Sequence, residues 1–209
     1  MSTAIKPKHV YSLAEYFELE KNSEEKFEFW DGSVWSMSGA KYAHNQIVAN
    51  VSIDLGGKLR DKGCRFLPSD MRVKVPSYSP YRYPDITALC ATPVIEQMGG
   101  IDVLVNPHLI VEVLSDSTEA FDRGDKFSYY KSIESFTEYL LIAQHRPHVS
   151  QFVKHGDGFW ANFEYNDLSE SVDLRSVGCT ISLASIYFEV TFPGLEPNLS
   201  GSETVQSTE

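Results

Sequence analysis

Cysteine is scarce in this chain. Cys64, Cys90 and Cys179 stand far apart, and no Cys-x-x-Cys spacing occurs. That removes the ligand pattern of a zinc finger or ribbon and reads most simply as reduced thiols in a cytoplasmic setting. Basic residues are also in short supply: 18 Lys and Arg face 29 Asp and Glu, for a net charge of −11. Such a chain has no broad positive field with which to grip nucleic acid or an anionic membrane. Any DNA contact is expected to be local and weak, and no membrane partner is expected. No apolar run approaches the length of a membrane span, and residues 1–10 do not read as a signal peptide. No helix-turn-helix pattern is visible.

What the chain does have is an ordinary apolar share, 42 %, enough to build a core. Ser12 and Glu15 form a capping box that opens a helix over residues 12–22. Residues 26–30 and 33–38 flank Asp31-Gly32, a hairpin signal, with Val34, Trp35 and Met37 available for packing. Residues 42–62 are helical in pattern, with Ile47, Val48, Val51 and Leu55 on one side and a kink expected at Gly56-Gly57. Strands are expected at 64–67, 71–75 and 85–91, and residues 92–105 read as a loop. The almost unbroken apolar run 109–114 has the signature of a central strand covered on both faces. A helix is expected over 122–133, then strands at 138–143, 149–154 and 159–165. His155-Gly156-Asp157-Gly158 marks a hairpin between the last two. Residues 172–174 and 179–183 continue in β style, and 182–190 are strand or a short last helix. The order implies one α/β domain over residues 1–192, with a mixed sheet and a C-terminal β extension. Residues 193–209, rich in Gly, Ser, Pro, Glu and Thr without a basic residue, read as a disordered acidic tail.

Two of these apolar strands each carry one carboxylate, Asp85 and Glu112, and the helix after the second carries Lys126. A carboxylate in such a strand is costly to desolvate without a cation beside it. On a period of two, Glu112 shares a face with Ile110 and Leu114. If the strands pair, Asp85 and Glu112 converge on one Mg²⁺, an ion that takes hard oxygen ligands and keeps water. Glu112 reads equally as half of a buried ion pair with Lys126, and Lys126 as a solvated lysine paired with Asp122. Glu28, His44, Asp70 and Lys74 are accessory candidates: Glu28 and Asp70 as further oxygen ligands, His44 as a phosphate contact, Lys74 as a rival to Lys126. The densest basic segment holds Lys58, Arg60, Lys62, Arg65, Arg72 and Lys74.

Pro84-Asp85, Glu112 in its apolar strand and a following helix with Lys126 resemble the PD-(D/E)XK nuclease superfamily. Residues 112–118 with 122–126, and 27–32 with 37–39 and His44, resemble more closely the Uma-two-type restriction endonucleases. The resemblance spans roughly residues 10–192. It implies a restriction-endonuclease-like mixed sheet flanked by helices. It further implies Mg²⁺-dependent, or Mn²⁺-dependent, hydrolysis of DNA phosphodiester bonds. Asp85, Glu112 and the Val113 carbonyl would then hold the metal and Lys126 would act beside it. One departure stands out: Leu114 occupies the strand position of the superfamily lysine, so Lys126 must substitute from the helix. Cutting two strands calls for two sites, so a homodimer is expected. A binding or assembly module that keeps the fold without catalysis is the alternative, favoured by the acidic charge and by Leu114.

Overall fold

A six-stranded mixed sheet organises the computed structural model of the chain, which describes residues 9–192 apart from 31, 38, 78–80, 117 and the side chain of Trp30. The expected tail at 193–209 lies outside the described residues. The N-terminal part comprises helix α1 (Leu13–Lys21), strands β1 (Phe27–Trp30) and β2 (Ser33–Ser36), and helix α2 (Tyr42–Leu59). Strands β3 (Arg65–Pro68), β4 (Arg72–Lys74), β5 (Tyr81–Arg82), β6 (Ile86–Leu89), β7 (Ile95–Met98), β8 (Ile101–Leu104) and β9 (Leu109–Leu114) follow. A crossover carries α3 (Glu119–Phe121), a π-helical turn (Asp122–Lys126) and α4 (Phe127–Tyr130). It leads to β10 (Glu138–Ala143), β11 (Val149–Lys154) and β12 (Trp160–Tyr165), then β13 (Ser171–Leu174), β14 (Cys179–Ser182) and α5 (Leu183–Ile186).

The main sheet runs β12-β11-β10-β9-β6-β3. β9 and β10 are parallel, as their helical crossover requires, and the other neighbours are antiparallel. Both central strands are buried at all six positions. Alternation sends Val111, Val113, Leu140 and Ile142 into a core with Ile47, Val51 and Leu55 of α2. It sends Ile110, Leu114, Tyr139 and Leu141 to the other face, where Phe127 and Tyr130 of α4 pack. A second sheet, β5-β4-β8-β7, and the β1–β2 hairpin carry α1. The Ser12–Glu15 capping box closes as expected.

Several expectations need correction. Residues 92–105 are not a loop: β7 and β8 pair across Gly99-Gly100, where φ is positive at both residues, as a tight hairpin turn demands. The strands are short and β7 is largely exposed, which hides the pattern. α2 runs through Gly56-Gly57 without a break. Gly56 is instead a close-approach position, where a β-carbon would come within 3.2 Å of the Phe66 ring. The crossover helix begins at Glu119, passes through the π turn and ends at Tyr130. Trp35 and Met37 are exposed, at 57 % and 38 %. Cys64 and Cys90, read as separate thiols, are joined in a disulfide. β3 and β6 pair Arg65 with Leu89, and one further step of that register brings the two cysteines together. No helix among the described residues is long and apolar enough to cross a membrane.

Candidate active site

The β6–β9 register pairs Ile86 with Val111, and one residue beyond it Asp85 comes opposite Glu112. Directly opposed residues project from one face, which is the face of Ile110 and Leu114. Pro84 has no N–H, and the ladder ends at Ile86. The Asp85 side chain takes over there: its Oδ2 accepts the Val113 N–H at 2.7 Å. The same oxygen lies 3.3 Å from His44 Nε2, delivered by the first turn of α2. His44 Nδ1 is buried and has no hydrogen bond among the described residues.

Glu112 is met from the crossover. Lys126 Nζ lies 2.8 Å from Glu112 Oε1, and the Tyr130 hydroxyl donates to that oxygen at 2.8 Å. Asp122 Oδ1 approaches Lys126 Nζ at 3.1 Å in an ion pair without hydrogen-bond geometry. Residues four apart on a helix share a face, so Asp122, Lys126 and Tyr130 arrive together. The π turn that holds the first two is anchored by the Tyr139 hydroxyl, which donates to the Asp122 carbonyl at 3.1 Å. Such turns are frequent at functional sites. Lys126 is therefore paired with Asp122, but in the protein interior rather than in solvent.

Electrostatics follow from crowding. Burial, only partly offset by Lys126 and reinforced by Asp122 and Asp85, pushes the Glu112 carboxyl up to about 8. Burial works against the Lys126 ammonium, yet Glu112, Glu28 and Asp122 together hold its pKa well above the ordinary value. Burial and the adjacent Glu112 likewise raise Tyr130, keeping its hydroxyl a donor. The cluster holds more carboxylates than cations.

The accessory candidates divide. Glu28, from β1, accepts the Tyr83 N–H at 3.3 Å and acts on both Lys126 and Tyr130. His44 touches Asp85. Asp70 is exposed and pairs with Lys26. Lys74 pairs with Glu96 at 2.6 Å on the second sheet. Neither joins the cluster. Tyr130 and Asp122 were not among the candidates read from sequence, although their spacing from Lys126 was the available signal.

The donor set suits a hard divalent cation. Both protein contacts of Asp85 fall on Oδ2 and both of Glu112 on Oε1. Each carboxylate thus keeps a second oxygen without a protein partner among the described residues. Among those residues no three His, Cys, Asp or Glu side chains group as a metal site. The fit is to two carboxylates, a backbone carbonyl and water, as Mg²⁺ accepts.

The architecture has a counterpart among solved structures. A solved structure described as a putative nuclease belonging to DUF820, from Anabaena variabilis, superposes with a TM-score of 0.64 at 13 % identity. It covers 79 % of this chain and 91 % of that one. At the level of sequence, residues 13–184 match the Uma2 profile, described as "Putative restriction endonuclease". The chain belongs to that family. Two uncharacterized proteins of Synechocystis sp. are similar to it. One is 30 % identical over 181 residues, covering 87 % of this chain and 93 % of its own. The other is 35 % identical over 151 residues, covering 72 % and 85 %.

Proposed function

We propose that the chain is a metal-dependent endonuclease that hydrolyses DNA phosphodiester bonds at the Asp85–Glu112–Lys126 cluster. The reading is carried by the 2.8 Å contact of Lys126 Nζ with Glu112 Oε1, beside the opposed Asp85. Asp85, Glu112 and the Val113 carbonyl would hold Mg²⁺, or Mn²⁺ in its place. When bound, the ion supplies Lewis-acid charge and eases ionisation of water beside a phosphodiester. Lys126 presents a protonated ammonium to negative charge growing on the phosphoryl oxygens. Asp122 keeps that ammonium paired when Glu112 turns toward a cation. His44 steadies Asp85 through its 3.3 Å contact with Oδ2. Two-strand cutting needs two such sites, and we assign the working form as a homodimer, testable by sedimentation equilibrium.

The test is nicking of supercoiled plasmid by pure protein with Mg²⁺. Wild type is expected to convert it to open circles, and Asp85→Ala to leave it intact. Equal nicking by both would assign the activity to a contaminant. Calorimetric titration separates the alternative, a binding module favoured by Leu114 in the usual lysine position. The absence of Mg²⁺ or Mn²⁺ uptake that depends on Glu112 would support the module.

A further inference from the structure

Arg123 stands inside the π turn, between Asp122 and Lys126, which form the buried ion pair. Its guanidinium reaches two ways. Nε donates to Glu119 Oε1 at 2.8 Å, one turn back along the crossover. Nη1 donates to the Ser150 hydroxyl at 2.9 Å. Ser150 belongs to β11 and is 0 % exposed. Its own proton goes to Glu164 Oε2 of β12 at 2.8 Å, which leaves its oxygen to accept from Arg123. Glu164 is backed in turn by His148 Nε2 at 3.2 Å and by the Asn162 amide at 2.8 Å.

Strand register relates this anchor to the cluster. Glu112 is partnered by Leu141, Leu141 by Ser150, and Ser150 by Glu164. Partners in register lie on one face, so the four form a row across the sheet. That face is the one on which Phe127 and Tyr130 of the crossover pack. Two strand spacings put the Ser150 backbone about 10 Å from that of Glu112. Lys126 reaches one point of the row and Arg123 another.

The crossover needs such a hold. Its helical pieces have three, five and four residues, and isolated helices shorter than about 12–15 residues are marginal in water. Lys126 and Tyr130 grip Glu112, but that carboxylate is the one that turns toward a cation. The Tyr139 hydroxyl on the Asp122 carbonyl is independent of it, yet one point of attachment leaves the turn free to pivot. Arg123 on Ser150 supplies a second point, one strand further out.

We propose that Arg123 is a positioning residue: through the buried Ser150 hydroxyl it fixes the π turn on the sheet, and so sets where the Lys126 ammonium stands relative to Asp85 and Glu112. This deepens the endonuclease reading and rests on it. The test joins nicking of supercoiled plasmid with Mg²⁺, at protein concentrations up to saturation, to amide hydrogen exchange of the metal-free protein read by mass spectrometry. The variants are Arg123→Met, which keeps the apolar stem and deletes the donors, Ser150→Ala, and the two combined. Each single variant is expected to lower the maximal nicking rate at least about tenfold while half-saturation stays within about twofold. The double variant is expected to be no slower than the singles, because both delete one contact. Exchange across residues 122–126 is expected to quicken about tenfold in all three, with β9 and β10 unchanged. Thermal melts followed by circular dichroism verify that the variants fold. Losses that multiply in the double variant, or a loss confined to half-saturation, would overturn the proposal. Wild type that leaves plasmid intact, with exchange quickened in both single variants, supports the anchor and removes the nuclease. Wild-type nicking that neither substitution slows removes the positioning role and keeps the nuclease.

Discussion

The Lys126 ammonium lies 2.8 Å from the Glu112 carboxylate, and the two side chains are only 8 % and 5 % exposed. Asp122, equally buried, shares that ammonium. Removing the cation leaves Asp122 in the interior without its ammonium and Glu112 with the Tyr130 hydroxyl alone. Lys126→Met is therefore expected to destabilise the fold by about 3–5 kcal/mol, read from urea denaturation. Replacing Glu112 with Gln in the same chain should recover part of that loss, since the two effects are coupled.

Stability should fall with rising pH across the range set by Glu112. Its folded carboxyl is pushed up to about 8 from an ordinary value of 4.5. The folded state holds a proton that the unfolded chain has released, so stability is full near the lower value and drains away toward the upper. Metal-free melting temperature should decline from pH 5 to pH 8, and Glu112→Gln should flatten the decline. A slope unchanged by that substitution would remove Glu112 as its source. Lys126, raised in the folded state, adds stability that is lost only in strongly alkaline solution.

Tyr130→Phe deletes one hydroxyl from a fully buried position. Glu112 Oε1 then loses one of its two partners. The expected cost is about 1–3 kcal/mol in chemical denaturation. Plasmid nicking should fall as well, because the carboxylate is less firmly oriented.

Lys74 and Lys126 make opposite forecasts for catalysis. Lys74 pairs with Glu96 on the second sheet, away from Asp85 and Glu112. Lys74→Ala and Asp70→Ala should nick plasmid at the wild-type rate, whereas Lys126→Ala should lose on the order of a hundredfold or more. Rates from gel densitometry distinguish them.

Reduction of Cys64–Cys90 should lower the melting temperature. The bond closes a segment with a sequence separation of 26. Loop-closure entropy puts its contribution at about 3 kcal/mol, measurable with and without dithiothreitol or in Cys64→Ser.

The sequence was most legible where burial is continuous. Leu109–Leu114 and Glu138–Ala143 read residue for residue because each is apolar on both faces. It was least legible where partners are distant. Cys64 and Cys90 meet only through the β3–β6 register, and β7 escapes notice because its side chains are mostly exposed. A buried carboxylate was an ambiguous sign. Glu138, wholly buried at the start of β10, gives the same signal as Glu112, yet Gln151 and Ser176 satisfy it without any ammonium. Three-dimensional neighbours, not strand position, separate these two glutamates.

Leu114 packs into the core at the strand position where the superfamily keeps its lysine, and the ammonium comes instead from the connection between two parallel strands. Acid and base are thereby mounted on different carriers. A nudge to the connection shifts the lysine relative to the carboxylates while every strand keeps its register. On the proposed endonuclease reading, reactivity can thus be retuned, in evolution or by design, through a crossover that no ladder constrains.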